Sequence, residues 1–66
     1  MNINKLKAKI VEQGLSYKDV YEDLGLSKTA FLSKMNGKTQ FKLSELRKIV
    51  VILDLNQSEL KEIFFK

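Results

Sequence analysis

The residues best suited to chemistry lie in one segment, GLSKTAFLSKMNG, residues 25–37. This segment contains Lys28 and Lys34 together with hydroxyl and carboxamide side chains, and it contains no acid. Ammonium groups attract phosphates, and hydroxyl and amide groups form hydrogen bonds with the edges of nucleic-acid bases. A solvated helix usually mixes lysine with glutamate, so the absence of acids favours a surface that approaches an anionic polymer.

Helical spacing divides the side chains of this segment between two faces. At about 100° per residue, Phe31 and Met35 fall on one side, which we expect to face the core. Leu32 lies at the flank, where a leucine can contact a thymine methyl group. The outward face comprises Thr29, Ser33 and Asn36, with Lys28 projecting from the first turn. This pattern is typical of a helix that enters the major groove of DNA.

The other residue types argue against an enzyme. The chain has 66 residues, no histidine and no cysteine, so it lacks the usual zinc ligands, the thiol nucleophiles and the commonest general base. Its acids fall at helix starts or on solvated helix faces, with no base, nucleophile or metal cluster beside them. We therefore expect no enzymatic activity, no cofactor and no metal site.

The composition, 30% charged and 44% hydrophobic residues, is that of a folded soluble domain. No apolar run is long enough to span a bilayer, and the first residues, MNINKLKAK, lack the apolar stretch of a secretory signal. We expect a cytoplasmic protein in which residues 1–66 form a single domain. The net charge of +4 favours an acidic partner such as nucleic acid. Lys5, Lys7 and Lys9 are expected to form a solvated face of the first helix.

Helical periodicity recurs in every segment between the glycines and the polar turn residues, so the predicted fold class is all-α, with five helices. The first helix begins near Ile3. Gly14, Gly25 and Gly37 supply left-handed stops for the first three helices. Ser16 and Ser27 are N-cap residues for the second and third. The second and third helices are therefore short and meet across a tight turn.

The second half of the chain predicts a loop and two more helices. Residues 37–42, GKTQFK, form the loop. The run IVVIL is compatible with a buried strand, but LSELRK precedes it with strong helix formers and no turn signal, so we expect a mostly buried helix. Asn56 and Glu59 resemble a capping box that begins the fifth helix. The predicted buried face of the fourth helix comprises Leu43, Leu46, Val50 and Leu53, widened by Ile49, Val51 and Ile52.

Over about residues 3–65 this sequence resembles the helix-turn-helix domain of the lambda-repressor and Cro type, the XRE family. That family typically reads LTxxxLAxxLGIS, followed by an isoleucine and by NG, and here LSYKDVYEDLGLSKTAFLSKMNG follows the same order. The resemblance implies a compact five-helix lambda-repressor-like domain in which helices 2 and 3 form the helix-turn-helix and helix 3 lies in the major groove. It also implies a transcription regulator of the phage or prophage type that binds operator DNA.

The resemblance further implies a role for individual residues. Tyr21 departs from the family, which generally has alanine there, and its ring must either open the crossing of the two helices or turn outward. The base-reading positions correspond to Lys28, Thr29, Leu32 and Ser33. The phosphate-gripping positions correspond to Tyr17 and Asn36, and the basic loop to Lys38 and Lys42.

The aromatic C-terminal end, EIFF, predicts an interface. Adjacent helical positions diverge by about 100°, so Phe64 and Phe65 cannot both face the core. A single recognition helix reads only a few base pairs, and proteins of this build bind two half-sites as a dimer. We therefore expect a weak homodimer through Ile63, Phe64 and Phe65, able to form on a palindromic operator. The alternative is a small protein-interaction module, an antirepressor or antitoxin-like adaptor, that uses this end against a partner helix.

Overall fold

The computed structural model describes residues 1–65, and every regular element within them is a helix, so the predicted all-α class is confirmed. None of these helices is long and apolar enough to cross a membrane. The five helices are α1 (Ile3–Glu12), α2 (Tyr17–Asp23), α3 (Lys28–Met35), α4 (Leu43–Ile52) and α5 (Gln57–Phe64).

Polar side chains begin the helices at the predicted positions. The Asp19 backbone N–H donates to Ser16 Oγ at 3.1 Å, and the Ser16 backbone N–H donates to the Asp19 carboxylate at 2.8 Å. The hydrogen bond from the Ser16 backbone lowers the pKa of the Asp19 carboxyl below its ordinary value. Asn56 and Glu59 form the same reciprocal pair at the start of α5, and Ser27 caps α3. These caps satisfy backbone donors that a helix start leaves unpaired.

A tight turn joins α2 to α3. Gly25 has a φ of +75°, in the left-handed region where a side chain costs about 1–2 kcal/mol. The Leu26 N–H donates to the Tyr21 carbonyl at 2.8 Å and closes the end of α2. Ser27 follows at once as the cap of α3. The predicted end of α2 at Gly25 and the predicted N-cap of α3 at Ser27 are therefore confirmed. The short turn between them places α3 next to α2.

Phe31 and Met35 lie in the core, as the helical spacing predicted, with side-chain exposures of 0% and 1%. The aromatic rings of Tyr17, Tyr21 and Phe41 surround Phe31 with centroid distances of 5.8, 6.0 and 6.2 Å. The other buried apolar side chains are Leu6, Ile10, Val20, Leu24, Ile49, Leu53 and Ile63. The inner side of α3 is therefore anchored to the centre of the domain.

The buried face of α4 differs from the prediction. Leu43 and Val51 are 64% and 80% exposed, whereas Glu45, Ile49 and Leu53 are buried. The prediction was therefore right at Ile49 and Leu53 and wrong at Leu43 and Val51, and the description of α4 as mostly buried was wrong. The apolar run over residues 49–53 places apolar side chains at every angle around the helix, so it does not define which side is buried.

Helices α1 and α5 pack against each other through apolar and charged contacts. Lys9 Nζ lies 2.6 Å from Glu59 Oε2, and Lys5 Nζ lies 2.6 Å from Glu62 Oε2. The hydrogen bond between Lys9 and Glu59 raises the pKa of the lysine and lowers that of the glutamate. Because the Lys9 side chain is only 11% exposed, the expectation that it belongs to a solvated face was wrong. The Asn2 N–H also donates to the Ile63 carbonyl at 2.7 Å.

Candidate nucleic-acid interface

Helix α3 presents a polar outer side, as predicted. Lys28, Thr29 and Asn36 are exposed, whereas Leu32 and Ser33 are half-buried. Since Phe31 and Met35 hold the opposite side in the core, the orientation of α3 is fixed by packing. Lys28, Thr29 and Asn36 are thus exposed as predicted and Leu32 is half-buried at the flank, whereas Ser33, predicted to lie on the outward face, is half-buried.

The loop after α3 folds back on that helix. The Lys38 N–H and the Thr39 N–H both donate to the Ser33 carbonyl, at 2.9 and 3.4 Å. Lys38 is exposed beside the end of α3, and Lys42 is exposed where the loop meets α4. We refer to the combined set as the α3–loop surface, which comprises Lys28, Thr29, Leu32, Ser33, Asn36, Lys38 and Lys42.

The cations of the α3–loop surface are available to a partner. Within residues 1–65, none of Lys28, Lys38 and Lys42 forms an ion pair with an acid. Lys28 stands in the first turn of α3, which contains no acidic residue. The positive charge of this surface is therefore not neutralised within the part of the chain that the structure describes.

Lys34 differs from the lysines of the α3–loop surface because it forms an ion pair inside the fold, which the sequence did not predict. Its Nζ lies 2.7 Å from Glu45 Oε1, and the two side chains are 11% and 10% exposed. Burial acts to raise the pKa of Glu45, but hydrogen bonds from Lys34 Nζ and the Lys42 backbone N–H outweigh it and hold that pKa below its ordinary value. Lys34 thus carries a charge that Glu45 balances inside the fold. A lysine and a glutamate eleven positions apart on different helices give no periodic signal in the sequence.

The two tyrosines of α2 both contact the core. Tyr17, predicted to grip phosphate, is half-buried, and its ring meets Phe31 edge-on with an interplanar angle of 66°. Tyr21 is also half-buried and packs beside the same phenylalanine at 47°. Its ring therefore does not turn away from the domain, which was one of the two expected outcomes. Both rings pack against Phe31, on the core side of α3.

The three residues predicted for the C-terminal interface differ in exposure. Ile63 is 1% exposed and belongs to the core, so it is unavailable to a second protein, whereas Phe65 is 69% exposed. Phe64 is half-buried. An apolar groove runs here between α4 and α5, with Arg47 at its side. The apolar side chains that line this α4–α5 groove are Leu43, Leu46, Val50, Leu60, Phe64 and Phe65.

Comparison with known families gives one result. The whole chain, residues 1–66, matches the family described as protein of unknown function (DUF739). The chain belongs to the DUF739 family. Neither a search of curated proteins nor a search of solved structures gave a match.

The α3–loop surface of this DUF739 protein is suited to binding. It offers exposed ammonium groups for an anion and short hydroxyl and carboxamide groups for hydrogen bonds. No group of three or more histidine, cysteine, aspartate or glutamate residues within residues 1–65 could hold a metal ion. The surface therefore places cations and hydrogen-bonding side chains together on α3 and on the loop that follows it.

Proposed function

We propose that this DUF739 protein is a sequence-specific transcription regulator that binds double-stranded operator DNA, as Cro and the phage repressors do. In this role α2 and α3 form a helix-turn-helix of the lambda-repressor type, and α3 lies in the major groove. The observation that carries the proposal is the α3–loop surface. Within residues 1–65, Lys28 on α3 and Lys38 and Lys42 in the loop form no ion pair, and short polar side chains lie on the side of α3 that is not fixed in the core. Such a regulator acts in the cytoplasm of a bacterium, encoded by the cell or by a phage.

The charges of the α3–loop surface support the phosphate part of this role. Lys28, Lys38 and Lys42 are exposed cations at the start of α3 and in the loop that follows it. Phosphate groups line both sides of the major groove, so cations at the two ends of a short helix match their positions. Asn36, exposed at the end of α3, and the hydroxyl group of Tyr17 are the proposed uncharged phosphate donors.

The short polar side chains support the reading of sequence. Thr29 is exposed on α3, and Ser33 lies one turn further along. Hydroxyl groups can donate to or accept from base edges, and the half-buried Leu32 can contact a thymine methyl group. Because α3 is anchored by Phe31 and Met35, these groups reach the bases without reordering the helix. Preorganisation of this kind lowers the cost of binding.

The salt dependence of binding tests the phosphate contacts. Duplexes that bind would first be selected from random DNA, and the affinity would then be measured against salt concentration. If Lys28, Lys38 and Lys42 each neutralise one phosphate, log K should fall with log salt with a slope of about −3 per protein. Lys7→Ala, which removes an exposed lysine on α1, is the matched control and should leave the slope unchanged. A flat salt response would remove the basis for DNA binding.

Substitutions on the α3–loop surface test the division of roles. Thr29→Ala or Ser33→Ala should relax the preference at particular base pairs by about 1–3 kcal/mol. Lys38→Ala should instead weaken binding to all duplexes by a similar factor. Equal losses on every duplex for all three variants would contradict the assigned roles.

A second copy of the chain is the proposed partner for the α4–α5 groove. Phe65 is 69% exposed and Leu43 is 64% exposed at this groove, and exposed apolar patches commonly mark interfaces. A two-fold dimer would place two α3 helices on half-sites about one helical turn of DNA apart. A small interface gives a weak dimer, so the two copies would associate most readily on a palindromic operator.

The same α4–α5 groove supports an alternative role as a small protein-interaction module, comparable to an antirepressor or an antitoxin-like adaptor. An amphipathic helix of a partner would lie in the groove through its apolar side. The two roles differ in one measurement, since the module would show no salt-sensitive binding to any duplex. Selection from random DNA therefore discriminates between them.

A further inference from the structure

The buried pair of Lys34 and Glu45 joins three parts of the protein. Lys34 belongs to α3 and Glu45 to the first turn of α4, and their charged atoms are 2.7 Å apart. The same Glu45 oxygen accepts the Lys42 backbone N–H at 2.8 Å, at the end of the loop. Lys34 Nζ also donates to the Gln40 carbonyl at 3.3 Å. One ion pair thus contacts α3, the loop and α4.

Phe41 adds a cation–π contact to this arrangement. Lys34 Nζ lies 5.9 Å from the centre of the Phe41 ring, and that ring lies 6.2 Å from the ring of Phe31. A cation within about 6 Å of a ring centre is attracted to it. Two residues of the loop, Gln40 and Phe41, are therefore held by Lys34, and a third, Lys42, is held by Glu45.

These contacts separate Lys34 from the lysines of the α3–loop surface. Its side chain is 11% exposed, and the charge on its amine is balanced by a carboxylate at hydrogen-bond distance. A lysine in this position has no free charge to offer to a phosphate. Lys38 and Lys42, by contrast, are exposed, and Lys42 belongs to the part of the loop that Lys34 and Glu45 contact.

We propose that Lys34 and Glu45 are positioning residues, which fix residues 40–42 of the loop and thereby the place of Lys42, whereas the Lys38 N–H is held by the Ser33 carbonyl. This role rests on the proposed DNA binding. Lys34 contributes to affinity by holding the loop, and it does not contact phosphate. Loss of the pair leaves the exposed Lys42 side chain unchanged but frees the backbone that carries it.

Salt titrations of three variants test this role on the full chain. Lys34→Met removes the amine but keeps an unbranched apolar stem, and Lys34→Arg keeps a cation that can pair with Glu45. Lys38→Met is the matched control, since it removes an exposed lysine of the same loop. We expect Lys34→Met to lower affinity for the selected duplex by about tenfold at every salt concentration, the scale of one charge-assisted hydrogen bond. Its salt slope should match the original protein, whereas Lys38→Met should reduce the slope by about 1.

Amide hydrogen exchange tests the same role without DNA. The Lys42 N–H, which donates to Glu45, should exchange about tenfold faster in Lys34→Met and in Glu45→Gln, because each change removes one charge of the pair. The Leu53 N–H, which donates to the Ile49 carbonyl at the end of α4, is the internal reference and should change less. This comparison separates release of the loop from global unfolding.

The outcomes are distinguishable from one another. A fall in the salt slope for Lys34→Met equal to that for Lys38→Met would make Lys34 a phosphate ligand and overturn its positioning role. Unchanged exchange of the Lys42 N–H relative to Leu53 would overturn it as well. Recovery of affinity in Lys34→Arg, with the salt slope unchanged in both Lys34 variants, supports it. If no duplex binds to the original protein, the proposed DNA binding fails, while the exchange measurement still decides whether the pair holds the loop.

Discussion

Phe31→Ala should come close to unfolding this domain. Phe31 is fully buried, and the rings of Tyr17, Tyr21 and Phe41 lie within 5.8 to 6.2 Å of it. Replacing a buried phenylalanine by alanine costs about 3–5 kcal/mol, and lost pairing with three rings places this site near the upper value. A 66-residue domain has a free energy of unfolding of roughly 3–10 kcal/mol. The substitution therefore removes a large share of the stability.

Urea and thermal denaturation followed by circular dichroism measure this loss. We expect the melting temperature of Phe31→Ala to fall by at least about 12 °C, since 1 kcal/mol corresponds to about 4–8 °C in a domain of this size. Phe65→Ala is the matched control, because Phe65 is 69% exposed and its loss should cost no more than about 0.5 kcal/mol. A Phe31→Ala protein that melts within a few degrees of the original would refute the packing of α3 on the core.

Two further predictions concern Glu45 and Phe65. Because the folded state lowers the pKa of Glu45, its stabilising contribution is present above the unfolded pKa of about 4.3 and is lost as the pH falls through the folded value. The melting temperature of Glu45→Gln should therefore fall less than that of the original protein when the pH is lowered from 7 into the acidic range. An equal fall in both proteins would contradict this. Phe65→Glu should abolish cooperative binding to a palindromic duplex yet keep the fold and half-site binding. Gel-shift titrations on full and half sites measure this difference, and persistent cooperativity would locate the dimer interface elsewhere.

The features that the sequence predicted correctly are local ones. The stops at Gly14 and Gly25 and the caps at Ser16 and Ser27 depend on backbone conformation and on hydrogen bonds between residues three positions apart. Phe31 was placed in the core because helical spacing puts it on the same side of α3 as Met35, opposite the polar side chains. Local rules of this kind need no knowledge of the partner helix.

The features that the sequence did not predict depend on pairing between distant segments. Glu45 is buried because Lys34 lies beside it in space, and the chain gives no sign that these two side chains meet. For the same reason Lys9, which pairs with Glu59, is less exposed than its position among alternating lysines suggested. Leu43 and Val51 were wrongly placed on the buried face of α4, because this segment contains more apolar side chains than the core can bury. Charge burial and helix orientation are therefore tertiary properties in this domain.

The hydrogen bond from the Asn2 N–H to the Ile63 carbonyl has a consequence for the unfolded chain. It joins two points roughly 60 residues apart, and closing a flexible loop of that length costs about 3–4 kcal/mol of chain entropy. A covalent link between the segments that carry Asn2 and Ile63 would restrict the unfolded ensemble and leave the folded contacts of α1 and α5 unchanged. Such a link would raise the melting temperature through the unfolded state, without adding a contact to the folded domain.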